Sequence, residues 1–216
     1  MNVAMQTAES EGDYRLMKFT QFEYANDLML HGTVFMQPLS VFPKVKDPVI
    51  GDPNEGLWKR YTAENPSFQS FKINTGGKDI EVPIRELRLN STERRHGVYC
   101  MRWMSVREPL EPVLMFFAND KRMQRFGDAA VVFRDSSEFV RRMFLAARTA
   151  GYELDSRPME YFPTAHCGPM NAFRKLATYS YQNEWRFLTD KPIGDQPLVL
   201  KLGSLIDVAQ CFRVKR

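Results

Sequence analysis

In the stretch QNEWRFL at residues 182–188, near the end of the chain, polar residues are followed by an alternating run of charged and apolar residues. Side chains of a strand point alternately to its two faces, so the pattern predicts a strand with Glu184 and Arg186 on one face. The two aromatic residues take the opposite face and anchor the strand. We expect Glu184 to stand at the mouth of a cleft. The simpler alternative is a surface carboxylate that pairs with Arg186 or Arg174.

In the rest of the chain, short apolar segments typical of strands alternate irregularly with amphipathic segments typical of helices. Because strands are numerous and do not alternate strictly with helices, the order argues against a doubly wound parallel sheet. It predicts an α+β fold, a mixed or split antiparallel sheet with flanking helices, in a single domain over residues 13–216 after a flexible tail over residues 1–12. The predicted strands cover residues 14–19, 33–37, 97–104, 127–134, 184–189, 197–202 and 208–214, with a hairpin over residues 71–84. The predicted helices cover residues 21–31, 109–126, 136–150 and 171–176.

Single residues signal the ends of two helices. Gly32 follows the first helical segment, and only glycine enters the left-handed conformation cheaply. Asp135 precedes the third helical segment, with Glu138 at the capping-box position. These signals predict a helix that stops at Gly32 and another that begins after Asp135.

Composition excludes several classes of protein. With 44% hydrophobic and 26% charged residues in 216, the chain has the balance of a globular domain. No apolar run approaches about 18 residues and no signal peptide is visible, so we expect a cytoplasmic protein with no membrane association. Three cysteines with no paired spacing agree with a reducing compartment. The net charge of +4 mildly favours a polyanionic partner, although a solvated basic surface is the simpler interpretation.

Common catalytic and cofactor motifs are missing from the sequence. There is no phosphate-binding loop, no dinucleotide-binding glycine motif and no nucleophile elbow. The three histidines are scattered, and we expect no metal site. His166 adjoins Cys167, but adjacent residues rarely adopt the geometry of a thiolate–imidazole pair.

The first predicted strand carries Tyr14, Arg15 and Lys18. Arginine presents a fixed positive fork that suits a pyrophosphate, and Lys18 is a second cation on the same strand. The simpler interpretation, which we favour for each residue taken alone, is an exposed cross-strand partner. Tyr14 either stacks on a ligand ring or packs against the core.

A long loop at residues 40–56 ends in GDPNEG, which is almost entirely turn-forming. Loops of this length in a compact domain are usually functional or mobile. Asp52 and Glu55 form a carboxylate pair suited to a ribose, a metal or an acceptor. The simpler interpretation, which we favour, is a solvated turn.

The order of these features resembles an uncharacterised domain-of-unknown-function family that is widespread in bacteria and phages. The similarity runs from residue 14 to about residue 202. The matching positions are Tyr14-Arg15, residues 40–42, residues 114–117, residues 127–133, and Lys175 with residues 182–186.

The same order is similar to the ADP-ribosyltransferase superfamily, in which a first-strand Tyr-Arg and a late Gln/Glu-x-Glu strand flank an NAD cleft. The resemblance implies that fold, NAD as substrate, Glu184 as the catalytic glutamate, Arg15 as a ligand of the NAD phosphates or ribose, and Gln182 as the residue that orients the acceptor. A carboxylate suits this chemistry because departure of nicotinamide leaves an oxocarbenium-like ribose. The residues expected to contact NAD are Tyr14, Arg15, Lys18, Tyr181 and Trp185, the rings by stacking.

Three functions follow as hypotheses. The first is an NAD-consuming ADP-ribosyltransferase that modifies a protein or nucleic-acid acceptor in conflict between phage and host. The second is a catalytically inactive protein of the same fold that occludes a partner's nucleic-acid-binding surface, since the superfamily's middle Ser-Thr-Ser element has no clean match here. The third and weakest is a metal-dependent nucleic-acid enzyme that uses Asp52 and Glu55.

Overall fold

The computed structural model describes residues 14–213, apart from residues 66, 68, 69 and 84. The expected flexible tail, Ile84 at the end of the predicted hairpin, and Val214 at the end of the last predicted strand lie outside the described residues. Within the described part, no helix is long and apolar enough to cross a membrane.

Fifteen strands and three α-helices form the described part of the chain, which has an α+β architecture. The helices are α1 (Phe22–His31), α2 (Leu110–Asn119) and α3 (Ser136–Thr149). The strands are β1 (Tyr14–Thr20), β2 (Thr33–Pro38), β3 (Leu57–Thr62), β4 (Ser70–Thr75), β5 (Lys78–Pro83), β6 (Glu86–Asn90), β7 (His96–Ser105), β8 (Ala129–Phe133), β9 (Leu154–Pro158), β10 (Glu160–Phe162), β11 (Gly168–Pro169), β12 (Arg174–Leu176), β13 (Glu184–Pro192), β14 (Leu198–Lys201) and β15 (Ala209–Arg213).

An eight-stranded antiparallel sheet contains most of these strands. Its order is β14-β2-β7-β1-β8-β15, and β13 pairs with β7 and in turn with β9. Two smaller antiparallel units, β11-β3-β6 and the hairpin β4-β5, come from the middle of the chain. Among the described strands, only β10 and β12 pair in parallel. The predicted antiparallel sheet with helices and the predicted hairpin are therefore confirmed.

The large sheet is split beside its longest strand, β7. β1 pairs with the end of β7 from Arg102 to Ser105, whereas β2 pairs with the same strand only at Gly97 and Val98. The register leaves residues 99–101 of β7 without a strand partner on that edge. β13 covers the other edge of β7 from His96 to Arg102. The split opens a space in the sheet, and the candidate site lies there.

The two faces of the sheet pack against different helices. On one face, Phe187 of β13 and Tyr99 of β7 belong to the largest core cluster, together with Leu28 of α1 and Phe139 of α3. On the other face, Phe19 of β1 packs with Phe117 of α2. Buried apolar area is the main source of folding free energy, so this double layer holds β7 and β13 rigidly at the centre.

Local signals position the helix ends as the sequence predicts. Gly32 has φ +60° and its N–H donates to the Leu28 carbonyl, which ends α1. Asp135 caps α3 by accepting a hydrogen bond from the Glu138 N–H at 2.8 Å. The Glu138 carboxylate instead contacts Arg141 and Arg142, so only half of the capping box forms.

Two predicted helices differ in the structure. The helix predicted over residues 109–126 ends at Asn119, because the Asp120 carboxylate accepts hydrogen bonds from the Arg122 and Met123 N–H groups and starts a separate 3-10 turn at Met123–Phe126. The helix predicted over residues 171–176 is wrong. The Asn171 side-chain oxygen accepts a hydrogen bond from the Phe173 N–H, which forms a turn. The residues Arg174–Leu176 that follow form β12, which pairs with β10.

Candidate functional site

A pocket of about 230 Å³ opens where the sheet splits. One part of its wall is apolar and includes rings from β1, β2, the 3-10 helix Leu39–Lys44 and the 3-10 turn after α2. The other part is charged. The lining residues are Lys18, Phe19, Phe35, Gln37, Phe42, Ile50, Glu55, Val98, Tyr99, Cys100, Met101, Arg102, Met123, Phe126, Lys175, Gln182, Glu184 and Arg186. We call it the split-sheet pocket.

Arg186 is the best-satisfied charged group in the wall. Its Nε donates to Glu184 at 2.8 Å, and its Nη1 and Nη2 donate to the two oxygens of Glu55 at 2.8 and 3.0 Å. Nη2 also lies 2.7 Å from Glu184, and Nη1 donates to the Ala172 carbonyl. A guanidinium has five N–H donors, so every donor of this buried side chain has a partner.

Lys175 completes the group, and we call Glu55, Lys175, Glu184 and Arg186 the Arg186 cluster. Lys175 Nζ lies 2.6 Å from Glu184, 3.1 Å from the Gln182 amide oxygen and 3.9 Å from Glu55. All four charged side chains are buried. Two cations and two anions alternate in space, so the cluster is electrically balanced and each charge is compensated in a low-dielectric environment.

This balance sets the protonation states of the cluster. Burial alone would raise the pKa of Glu184, but Arg186 and Lys175 outweigh it and lower that pKa to about 2. Burial likewise opposes the charge of Lys175, whose pKa is nevertheless raised by Glu184 and Glu55. The nearby Cys100 thiol has its pKa raised to about 12, by burial first and then by Glu184. Glu184 is therefore an anion, and Cys100 is a neutral thiol near pH 7.

The segment before β3 is buried, which makes the favoured prediction of a solvated turn at residues 51–56 wrong. Asp52 and Glu55 are only 2% and 3% exposed. Glu55 is held by Arg186, and the Gln182 amide donates to the Val49 carbonyl at 3.0 Å. A buried carboxylate requires a cation, and Arg186 supplies one from a residue 131 positions away.

Two cations in the wall lack a carboxylate partner in the described part of the chain. Lys18 Nζ donates to the Cys100 carbonyl at 2.8 Å and lies 4.4 Å from the centre of the Tyr99 ring. Cys100 is on the β7 edge that the split leaves unpaired, so the lysine satisfies an acceptor that a strand would otherwise satisfy. Burial lowers the pKa of Lys18.

Arg102 is the second such cation. Its Nη1 donates to the Tyr181 carbonyl at 2.7 Å, while its buried Nε has no hydrogen-bond partner among the described residues. Burial lowers the pKa of Arg102 as well. A buried donor without an acceptor costs free energy.

The structure separates the residues that the sequence grouped into one NAD site. Glu184, Gln182 and Lys18 line the split-sheet pocket, although Glu184 is buried in an ion cluster rather than standing at the mouth of a cleft. The pairing of Glu184 with Arg186 occurs in the core, not at the surface. Arg15 is paired with Met104, which places it on the pocket side of the sheet but outside the residues that line the pocket.

The rings expected to hold nicotinamide do not share the pocket with Glu184. Tyr14 and Trp185 stack on each other, with centroids 4.5 Å apart and planes inclined by 15°, on the sheet face that α1 and α3 cover. Alternation along β1 and β13 sends both rings to that side. Tyr181 lies under the Arg122 guanidinium at 4.0 Å and packs with the α2 cluster, also outside the pocket lining.

Arg102 is a pocket residue that no local sequence pattern marks, because its position in the wall depends on where β1 stops pairing with β7. Only the resemblance to the domain-of-unknown-function family groups Lys175 with Glu184 at the level of the sequence.

His166 and Cys167 make separate contacts. His166 contacts the Pro169 carbonyl, and Cys167 contacts the Thr62 backbone. Within the described residues, no group of three potential metal ligands converges.

Comparisons with protein-family models, with curated proteins and with solved structures find no match for this chain. The fold class rests on the described architecture, and the function rests on the site.

The Arg186 cluster makes Glu55→Gln strongly destabilising. Loss of one anion leaves two buried cations with one carboxylate, and we expect the free energy of unfolding to fall by about 3–5 kcal/mol. Urea unfolding at pH 7 measures the change. Glu160→Gln is the matched control, since that carboxylate is exposed and pairs with Arg174 across 3.1 Å, so its loss should matter little. Equal effects of the two substitutions would contradict the structural role of Glu55.

Glu184 makes stability depend on pH under acidic conditions. Its pKa is about 2 in the folded chain against an ordinary 4.5, so its contribution is full above pH 4.5 and is lost as the pH falls through 2. We expect this group to account for about 3 kcal/mol of the loss over that range. Urea unfolding at a series of pH values should give a shallower slope for Glu184→Gln than for the wild type or Glu160→Gln. Parallel slopes in all three proteins would refute the lowered pKa.

Proposed function

We propose that this chain binds a small anionic molecule with an apolar body in the split-sheet pocket. One observation carries the proposal. The Arg186 cluster balances its own charges, which leaves Arg102 as a cation without a carboxylate partner among the described residues, and the amine of Lys18 likewise has no carboxylate at salt-bridge distance there. A wall with uncompensated positive charge and low-dielectric surroundings attracts an anion.

The apolar part of the wall supports an apolar body in the ligand. Phe19, Phe42, Met123 and Phe126 line the pocket beside the charged residues. Ligand sites typically combine a mostly apolar wall with a few convergent polar groups that fix orientation. An aromatic or branched aliphatic group would pack against these side chains, and its anionic end would lie toward Arg102.

Arginine suits the anionic end better than lysine does. Its planar fork matches a carboxylate or phosphate in a bidentate geometry. Arg102 is held through Nη1 by the Tyr181 carbonyl, so its orientation is set before a ligand arrives. Such preorganisation reduces the entropy lost on binding.

A carboxylate probe and its neutral analogue test the proposal. We expect isothermal titration calorimetry to detect binding of 3-phenylpropionate and none of 3-phenylpropionamide, which has the same shape without the charge. A hydrogen bond to a charged group contributes about 1.5–3 kcal/mol, so Arg102→Met should weaken binding roughly 10- to 100-fold. Arg122→Met is the control, because Arg122 is exposed and stacks on Tyr181 outside the pocket.

Arg102→Lys separates charge from hydrogen-bond geometry and should retain part of the affinity. Urea unfolding of each variant shows whether a loss of binding reflects loss of fold. Equal binding of the acid and the amide, or no binding of either by the folded wild type, would refute an anion site of this class.

Transfer of ADP-ribose from NAD to a protein or nucleic acid is a second candidate. Its support is the position of Glu184 and Gln182 in the pocket wall and of Arg15 on the same side of the sheet. The chemistry needs a carboxylate that strengthens its hydrogen bond as positive charge develops on the ribose. Both oxygens of Glu184 are bound by Arg186 and Lys175, so one ion pair would have to open when NAD binds.

A nicotinamide-release assay decides on this candidate. If the pocket consumes NAD, the wild type releases nicotinamide, and Arg15→Met lowers the rate at least about 100-fold by loss of a charged contact made in the transition state. Arg15 lies outside the Arg186 cluster, so this variant tests catalysis without removing a buried ion pair. No release by the wild type, or the same rate in both proteins, would reject ADP-ribosyl transfer.

A further inference from the structure

Two lysines border the split-sheet pocket in opposite electrostatic environments. Lys175 lies between Glu184 and Glu55, which stabilise its positive charge. Lys18 has no carboxylate within salt-bridge distance in the described part of the chain, and its one hydrogen bond goes to the backbone carbonyl of Cys100. Both side chains are lysines in the wall of one pocket, so the difference in their electrostatic environments comes only from their positions in that wall.

Burial shifts the protonation equilibrium of Lys18 toward the neutral amine. Burial lowers its pKa, whereas the pKa of Lys175 is raised by the two carboxylates that outweigh its burial. A neutral lysine keeps two N–H donors and gains a lone pair. One N–H can continue to donate to Cys100 while the lone pair faces the pocket, so deprotonation leaves the contact with β7 intact.

A desolvated lysine in an apolar pocket is a nucleophile for carbonyl groups. We propose that Lys18 captures a carbonyl compound that carries an anionic group, such as a 2-oxo acid, as a reversible imine. This inference rests on the proposed anion site, because Arg102 would hold the carboxylate while the carbonyl carbon faces Lys18. Both residues line the same pocket and come from adjacent strands, β1 and β7.

The reaction is balanced without an oxidant or reductant. The Lys18 Nζ lone pair attacks the carbonyl carbon, a C–N bond forms, and the carbonyl oxygen takes up a proton to give a carbinolamine. Nζ loses a proton, the carbinolamine hydroxyl takes up a second proton from solvent, and the C–O bond breaks so that the oxygen leaves as water. Nζ of the resulting iminium then releases its remaining proton to solvent. The product is an imine between Nζ and the former carbonyl carbon. Hydrolysis reverses each step, so the free amine is recovered.

Reductive trapping tests the imine. Phenylpyruvate with sodium cyanoborohydride should convert the imine to a stable secondary amine, and digestion with mass spectrometry should locate the adduct on Lys18. Because burial favours the uncharged, nucleophilic form of Lys18 and Arg102 holds the probe beside it, we expect Lys18 to carry most of the label and exposed Lys72 and Lys78 little of it. Lys175 should stay unlabelled, which makes it an internal control.

The variants separate this inference from the proposed function. Lys18→Met should abolish the adduct, and Arg102→Met should slow its formation, whereas Arg122→Met should label as the wild type does. Site mapping on the wild type is decisive even if Lys18→Met fails to fold. Binding of 3-phenylpropionate without labelling of Lys18 would overturn the imine and leave the anion site standing. Labelling of Lys72 and Lys78 as fast as Lys18 would also overturn the imine. Failure of the folded wild type to bind 3-phenylpropionate would overturn the anion site itself.

Discussion

Buried ion pairs from Arg186 to Glu55 and Glu184 hold the charged wall of the pocket together. An arginine stays charged under any condition that keeps a protein folded, so its burial obliges the fold to bring anions to it. One anion lies two residues away on β13, and the other comes from the segment before β3. The guanidinium therefore joins the late strand to the middle of the chain and closes one side of the pocket.

The split beside β7 is the second constraint, and it creates the pocket. β1 and β2 pair with opposite ends of β7 and leave residues 99–101 open between them. A backbone acceptor exposed in this way needs a donor, and Lys18 supplies one to the Cys100 carbonyl. A defect in the sheet thus places a basic side chain in the pocket wall, where a continuous sheet would have placed a strand.

Ion pairing divides the charged residues of the pocket into two groups with different consequences. In the Arg186 cluster each charge is met by an opposite one, so those side chains hold the wall in place and have few free hydrogen-bonding positions. Lys18 and Arg102 are not neutralised in this way. Buried charges without partners are unfavourable in a protein unless a ligand or a protonation change relieves them, and such groups are concentrated at functional sites.

Structural features with local causes can be predicted from the sequence. Alternation placed Glu184 on the opposite face of β13 from Trp185, and Gly32 and Asp135 marked helix ends, because periodicity and capping depend on neighbouring residues. Tertiary structure alone decided that residues 51–56 are buried and that Tyr14 stacks on Trp185 away from the pocket. These outcomes depend on which distant groups meet, as in the contact between Glu55 and Arg186 across 131 positions, and no local pattern carries that information.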